Sequence, residues 1–319
     1  MSTLSPIAKD TMSPVDALFD DLASRCSPDS VIRRAEPLAK RTTLRVGGAA
    51  DIYFEPAGEQ DLALAVRMAV NHSMPWMILG RGSNLLIRDG GIRGLVVCLG
   101  REGFSRMRAD GAKIEAGAGV RLKHLAVETK RLGIAGLEFL EGIPGSVGGA
   151  LRMNAGAMGA ATLDRVVSVR AMNRVGEIVE RSRESLEVHY RHCPFFDAHV
   201  ALSAVFVGEL QTREAIEERM KRMSSKRWES QPAAPSAGCI FKNPGTIPAG
   251  KLIDELGLKG AVEGGARVSE IHGNFIVNDG EATAGDVLRL IERVRATALA
   301  SRGIRLETEV QIVGEDLKP

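Results

Sequence analysis

The thiol of Cys239 lies in the run Ser236 to Pro244 (Ser-Ala-Gly-Cys-Ile-Phe-Lys-Asn-Pro), and it is the group whose neighbours most suggest chemistry. The small residues before it predict a turn that leaves the thiol exposed, beside the ammonium of Lys242 and the amide of Asn243. A thiol there can deliver a proton, because it starts near pKa ~8.5 and is a readier acid at neutral pH than a hydroxyl. A lone cysteine is more often a buried, inert one, and Cys26, Cys98 and Cys193 are read that way. The second feature is Gly142 to Gly149 (Gly-Ile-Pro-Gly-Ser-Val-Gly-Gly), where missing side chains let a ligand's phosphates approach several backbone N–H groups. A third, Gly80 to Leu85, begins like a dinucleotide fingerprint but lacks its third glycine. It also lacks an acidic residue about 20 residues on, so it does not read as a Rossmann site. Two such turns, followed by the small-residue stretch Asn154 to Gly159, favour a large nucleotide-type cofactor with a planar ring over free phosphate.

These segments need a mixed scaffold to hold them. Ser13-Pro14 reads as an N-cap with proline at the first helical position, and Val15, Leu18, Phe19 and Leu22 form one apolar stripe. A strand from Arg45 to Phe54, a helix through Leu62, Val66, Ala69 and Val70, and the strand Trp76 to Leu79 make a β-α-β start. Further strands are predicted at Leu95–Leu99, Lys113–Ala118, Val166–Met172 and Val200–Val207, with a helix through Leu122, Leu125, Ala126 and Thr129. The last third carries a charged helix from Thr212 to Trp228, a strand at Asn274–Asn278 and a helix through Val287, Ile291, Val294 and Ala298. It ends in a strand from Ile304 to Ile312, where Glu309 points away from the apolar face of Leu306 and Val310. The organisation expected is an N-terminal helical segment over 1–40, a cofactor domain over 41–208 with a break near 110, and a substrate domain over 209–319. The first dozen residues are expected to be loose.

Bulk properties narrow the function. With 42 Lys and Arg against 40 Asp and Glu, a formal charge of +2 argues against a nucleic-acid groove or a basic membrane face. The four cysteines form no Cys-x-x-Cys pair, so neither a metal site nor a disulfide framework is expected, and a reducing compartment fits. No stretch approaches ~18 apolar residues. Glycine is 35 of 319 residues, about 11%, against a norm of roughly 7%. Seven of these lie between Gly136 and Gly159, which marks a site more than a composition bias.

Leu79–Leu86, Glu141–Ala150, Tyr190-Arg191, Ser236–Pro244 and Leu306–Val310, in that order over ~270 residues, resemble the UDP-N-acetylenolpyruvoylglucosamine reductases, in their shorter form. The resemblance implies an α+β protein of the bacterial cytoplasm. A two-subdomain FAD-binding fold of the vanillyl-alcohol-oxidase type would be joined to a C-terminal α/β substrate-binding domain. It implies noncovalent FAD held by Gly80, Arg81, Gly82, Ser83, Asn84 and Leu85, by Gly142, Ile143, Pro144, Gly145, Ser146, Gly148 and Gly149, and by Asn154 and Gly156. NADPH is then the co-substrate, and the enolpyruvyl ether of UDP-N-acetylglucosamine is reduced to UDP-N-acetylmuramate for peptidoglycan synthesis. No obligate protein partner is indicated. Tyr190, Lys226 and Asn243 are implied at the substrate, and Met158 stands where longer relatives carry an aromatic residue.

The same resemblance assigns catalysis to Arg191, Cys239 and Glu309. Hydride from the reduced flavin adds to the terminal alkene carbon and leaves an enolate-like carboxylate, which a guanidinium can hold through two donors. Glu309 beside that charge helps only if protonated or bridged to a cation. Cys239 occupies the proton donor's position, where the family more often has serine. Two other functions share some of these features: a flavin-dependent oxidase of the same cofactor fold, and a catalytically silent UDP-sugar-binding protein.

Overall fold

The structure is a computed structural model that describes residues 12–245 and 247–317. The stretch read as loose falls mostly on residues 1–11, outside the described ones. Ser13 caps α1 (Pro14–Arg25), its hydroxyl accepting from the Asp16 N–H at 3.1 Å, and buries Leu18 and Leu22 of that helix in the main core. Then come β1 (Val31–Pro37), β2 (Ala49–Glu55), α2 (Glu59–Asn71), β3 (Trp76–Leu79), β4 (Leu85–Ile87) and β5 (Ile92–Cys98). Four of these strands form a sheet in the order β1-β2-β5-β3, with β2 and β3 both parallel to β5. The β-α-β start is therefore present, but the first forty residues are not helical throughout, since β1 pairs along its length with β2. β2 begins at Ala49 rather than Arg45. Gly48 passes so close to the chain after β4 that a Cβ on it would sit 2.2 Å from the Asp89 carbonyl oxygen.

A second sheet takes β6 (Met107–Asp110), β7 (Lys113–Gly117), β8 (Val166–Asn173), β9 (Ile178–Ser182) and β10 (His199–Val207) in the antiparallel order β9-β8-β10-β7-β6. The chain crosses between the sheets from Cys98 to Met107, just ahead of the position expected. Between β7 and β8 lie α3 (Leu122–Arg131) and the short α4 (Val147–Arg152), which opens inside the glycine loop. The next long helix, α5 (Arg213–Ser230), sends Ile216 and Met220 into the same core, and its Arg219 pairs with buried Glu138 at 2.8 Å. By packing, α5 goes with the residues before it, so the division expected near Gly208 falls ahead of this helix.

The remainder holds β11 (Ser236–Cys239), α6 (Ala249–Glu255), β12 (Val262–Glu263), β13 (Ala266–Val268), β14 (Phe275–Asn278), α7 (Ala284–Arg302) and β15 (Gln311–Val313). Its sheet runs β11-β14-β13-β12, antiparallel throughout. Val287, Ile291, Val294 and Ala298 of α7 are buried in register, in a cluster that also takes Leu44, Val46 and Leu86 from the first part. Asp89 clamps the two parts: its carboxylate accepts the Ala284 and Gly285 N–H groups at 2.8 Å each, at the N-terminus of α7. β15 runs parallel to β4. The terminal strand is shorter than expected because Gly303, at φ 64, ends α7, and the chain then pairs only loosely with Ile240–Lys242 before β15. Among the described residues, no helix is long and apolar enough to cross a membrane.

Candidate active site

One cavity of about 1330 Å³ runs between the glycine turns and the C-terminal part, and Arg191, Cys239 and Glu309 all line it. Each arrives from a different segment, and backbone pairing fixes all three. Gly238, at φ 76, lets β11 carry a bulge between its pairings Ser236↔Val277 and Cys239↔Phe275, a conformation glycine adopts without strain. The bulge breaks the alternation of the strand, so Ser236, Ala237, Gly238 and Cys239 all reach the cavity. Buried Asn274 holds the following residues, accepting from Phe241 N–H at 2.9 Å and donating to Phe241 O at 2.8 Å. Glu309 is tied to the same place, because its N–H donates to Ile240 O at 2.8 Å while its own carbonyl accepts from the Asn84 amide at 3.1 Å. Arg191 sits in a tight turn closed by His189 and His192, at φ 58. That left-handed backbone costs a non-glycine residue about 1–3 kcal/mol.

The electrostatics follow from this placement. Arg191 Nε donates to Glu309 Oε1 at 2.7 Å, so the guanidinium and the carboxylate meet as a half-buried pair. Glu309 is thus bridged to a cation, one of the two conditions that let a carboxylate sit beside developing negative charge. Burial, reinforced by the Glu309 charge and opposed by Arg191, pushes the Cys239 thiol up to about 11. The thiol is half-buried rather than exposed, and it does not sit in the field of Lys242, which pairs with Glu307 at 3.2 Å on the surface. A thiol of this kind keeps its proton at neutral pH and can yield it only to a strong base such as a carbanion.

All of Gly80, Arg81, Gly82, Ser83, Asn84 and Leu85 line the cavity, as do Gly142, Ile143, Pro144, Gly145, Ser146, Gly148, Gly149 and Gly156. Packing explains some of these glycines: Gly82 is at φ 60, and a Cβ on Gly148 would press on Ala118 at 3.0 Å. It does not explain Gly142, Gly145 or Gly149, where the nearest atom to an added Cβ is 3.5 to 3.7 Å away. Room left unfilled on a cavity wall fits a ligand that must come close to the backbone. The donors differ from expectation. Gly145, Val147 and Gly148 give their N–H groups to Ile143, Val120 and Ala118 carbonyls, whereas those of Arg81, Gly82 and Ser83 have no protein acceptor among the described residues. The first turn, rather than the second, is the freer anion cradle.

Four other residues named from the sequence lie off the cavity wall. Asn154 does not line the cavity: it is buried at φ 38, accepts from Leu163 N–H at 3.1 Å and so holds the fold around the glycine loop. The Asn243 side-chain amide oxygen accepts from Ala249 N–H at 2.9 Å and serves the start of α6. Lys226 is exposed, while Arg227, about 100° further round the helix, lines the cavity beside Gly142 without a protein partner among the described residues. Tyr190 is 62% exposed and does not line the cavity wall, but its ring is 5.0 Å from the Arg191 guanidinium and its phenol stands close to Glu309. Arg121, Arg152 and Gln311 also line it. Only Gln311 was signalled in the sequence, by standing on Glu309's face two residues on.

The cavity exceeds the roughly 300–1,000 Å³ that one small ligand fills, so it has room for a dinucleotide cofactor and a substrate together. Family models match the chain as an FAD binding domain over residues 50–182, which contains both glycine turns, and as the C-terminal domain of UDP-N-acetylenolpyruvoylglucosamine reductase over residues 231–313, which contains Cys239 and Glu309. The reductase of that name from Heliobacterium modesticaldum is 46% identical over 284 residues, 88% of this chain and 90% of that protein. The chain belongs to the UDP-N-acetylenolpyruvoylglucosamine reductases. The Caulobacter vibrioides reductase is 45% identical over 283 residues, 88% of this chain and 93% of its own length. The crystal structure of the Thermus caldophilus reductase superposes with a TM-score of 0.77 at 36% identity, covering 89% of this chain and 98% of that one. The α+β pairing of an FAD-binding domain with a reductase C-terminal domain is thereby established for this reductase.

Gly145→Val tests the cofactor wall directly. The first atom beyond the new Cβ is 3.5 Å away, so the fold should tolerate the change while the branches occupy ligand space. We expect an unchanged melting temperature for the apoprotein and little flavin in the purified variant, read from its visible absorbance. Wild-type flavin content would place the cofactor elsewhere.

Proposed function

We propose that this reductase uses NADPH and noncovalent FAD to reduce the enolpyruvyl ether of UDP-N-acetylglucosamine to UDP-N-acetylmuramate, in the cytoplasm, during bacterial peptidoglycan synthesis. The observation that carries this reading is the meeting of Arg191, Glu309 and Cys239 in a cavity walled by both glycine turns, in a chain of this family. The turn Gly80 to Leu85 and the wall Gly142 to Gly149 would hold FAD, which when bound takes hydride from NADPH and passes it to the terminal alkene carbon. Arg191, its Nε fixed by Glu309, presents its remaining donors to the substrate carboxylate as charge accumulates there. Glu309 orients that guanidinium. Cys239 stays protonated until the carbon next to the carboxylate becomes basic, and then supplies the proton there. Arg227, in place of Lys226, offers the substrate diphosphate a cation.

The purified protein should be yellow, and denaturation should release the whole of its flavin as free FAD. A colourless protein that nonetheless binds UDP-sugar would overturn the cofactor reading, and flavin retained on the denatured chain would overturn noncovalent attachment.

A further inference from the structure

We propose that Thr43 is a positioning residue whose hydroxyl holds the strand of Cys239 in place, an assignment that rests on the proton-donor reading above. Cys239 ends a bulge, and β11 pairs with β14 only at Ser236↔Val277 and Cys239↔Phe275. The chain between is therefore held at its two ends. Asn274 brackets the far end through Phe241. The near end is Ser236, on the edge strand of its sheet. Pro235 O accepts from Asn278 N–H at 2.9 Å, so the next carbonyl, that of Ser236, turns outward and needs another donor. The Thr43 hydroxyl is that donor, at 2.7 Å.

Thr43 is itself fixed on both sides. Its N–H donates to Gly82 O at 3.3 Å, and Gly82 passes so close that a Cβ on it would sit 2.6 Å from Arg41 O. Leu44 and Val46, just beyond, are buried in the C-terminal core, and the Asn278 amide donates to Leu44 O at 3.0 Å. The hydroxyl has one proton to give. Its other acceptor in reach, Gly82 O, is 3.4 Å away, so the proton goes to Ser236 O. One residue thus holds the first glycine turn with its backbone and the strand of the proton donor with its side chain. Asn84 makes the matching tie from that turn to Glu309. Thr43 does not line the cavity, so it acts only through what it holds. A displacement of about 1 Å caused outside the chemistry can cost about 100-fold in rate, which makes such a hold consequential.

Two variants separate the hydroxyl from the shape: Thr43→Val keeps the branched side chain without the donor, and Thr43→Ser keeps the donor without the methyl group. The valine variant should retain its flavin and its rate of flavin reduction by NADPH. Its flavin reoxidation by the enolpyruvyl substrate should fall by about 10- to 100-fold, and the serine variant should restore most of that rate. In a Cys239→Ala background, Thr43→Val should cost little more, because the two act through the same group. A second readout needs no substrate. Alkylation of Cys239, followed by mass spectrometry of its peptide, should be faster in the valine variant than in wild type or the serine variant, since a released bulge opens the half-buried thiol. The assignment is overturned if the valine variant matches wild type in reoxidation, if serine slows it as far as valine does, or if the valine effect is undiminished without Cys239. Lost flavin, or equal slowing of both half-reactions, would also overturn it and make Thr43 a general brace. A wild-type flavin that the substrate does not reoxidise sinks the reductase reading instead. Thr43 is then decided by alkylation alone: a faster valine variant upholds its grip on the bulge, and equal rates overturn it.

Discussion

Cys239→Ala should leave NADPH oxidation by the bound flavin nearly intact while slowing flavin reoxidation by the enolpyruvyl substrate by about 10²- to 10⁴-fold, the usual loss for a missing general acid. The split follows from the chemistry, since only the second half-reaction creates a carbon that needs a proton. Stopped-flow absorbance separates the halves. Cys239→Ser should restore much of the rate, because the hydroxyl stands on the same bulge and reaches the same carbon. The thiol's raised pKa adds a pH test. An ordinary thiol would be lost as a donor near pH ~8.5, but burial keeps this one protonated up to about 11. The part of the rate that depends on Cys239 should therefore hold through pH 9 and fall only as pH nears that value. A wild-type rate in the alanine variant would make Cys239 packing, and a fall centred near pH 8.5 would contradict its burial.

Arg191→Lys keeps a positive charge but loses the planar fork that meets Glu309 and the substrate carboxylate at once. We expect kcat and kcat/KM to fall together by about 10²- to 10³-fold, as when one donor to a developing oxyanion is removed. UDP binding should change little. Because Arg191 and Glu309 are paired at 2.7 Å, their effects should not add: Glu309→Gln in the Arg191→Lys background should cost far less than in wild type. A raised KM with unchanged kcat would make Arg191 a uniform binding residue. Strict additivity would show that Glu309 acts independently of it.

The legible parts of this protein were those where one residue type answers one local demand. The Ser13 cap, the stripe of α7 and the strand Trp76–Leu79 repeat patterns set by backbone geometry, and the structure returns them with small changes in length. The glycine turns were legible as a site because glycine answers both tight turns and close ligands, but their division of labour was not. Which N–H groups stay free depends on pairing with Ala118 and Val120, which no local pattern announces. The backbone bracing by Asn154 and Asn243 was hidden for a related reason: an amide that braces backbone looks the same in sequence as one that meets a ligand. The register of β15 on β4 joins residues more than 200 positions apart, so the fixing of Glu309 beside Asn84 could be seen only in the fold. The amphipathic pattern of α5 marked its inward face without saying which core it would enter, nor that Arg227 rather than Lys226 would face the cavity. Arg121 carried no signal, because an arginine before a helix is ordinarily a surface residue.

The central claim is that the cavity delivers electrons from NADPH to an enolpyruvyl carbon. It is tested most directly by reducing the protein with one equivalent of NADPH without oxygen and mixing it with the UDP-linked enolpyruvyl substrate, while following flavin absorbance. The flavin should reoxidise rapidly and yield one equivalent of UDP-N-acetylmuramate, with only slow reoxidation when oxygen is offered in place of substrate. Flavin that stays reduced with the enolpyruvyl substrate, yet reoxidises rapidly with oxygen, would contradict the account and make the protein an oxidase.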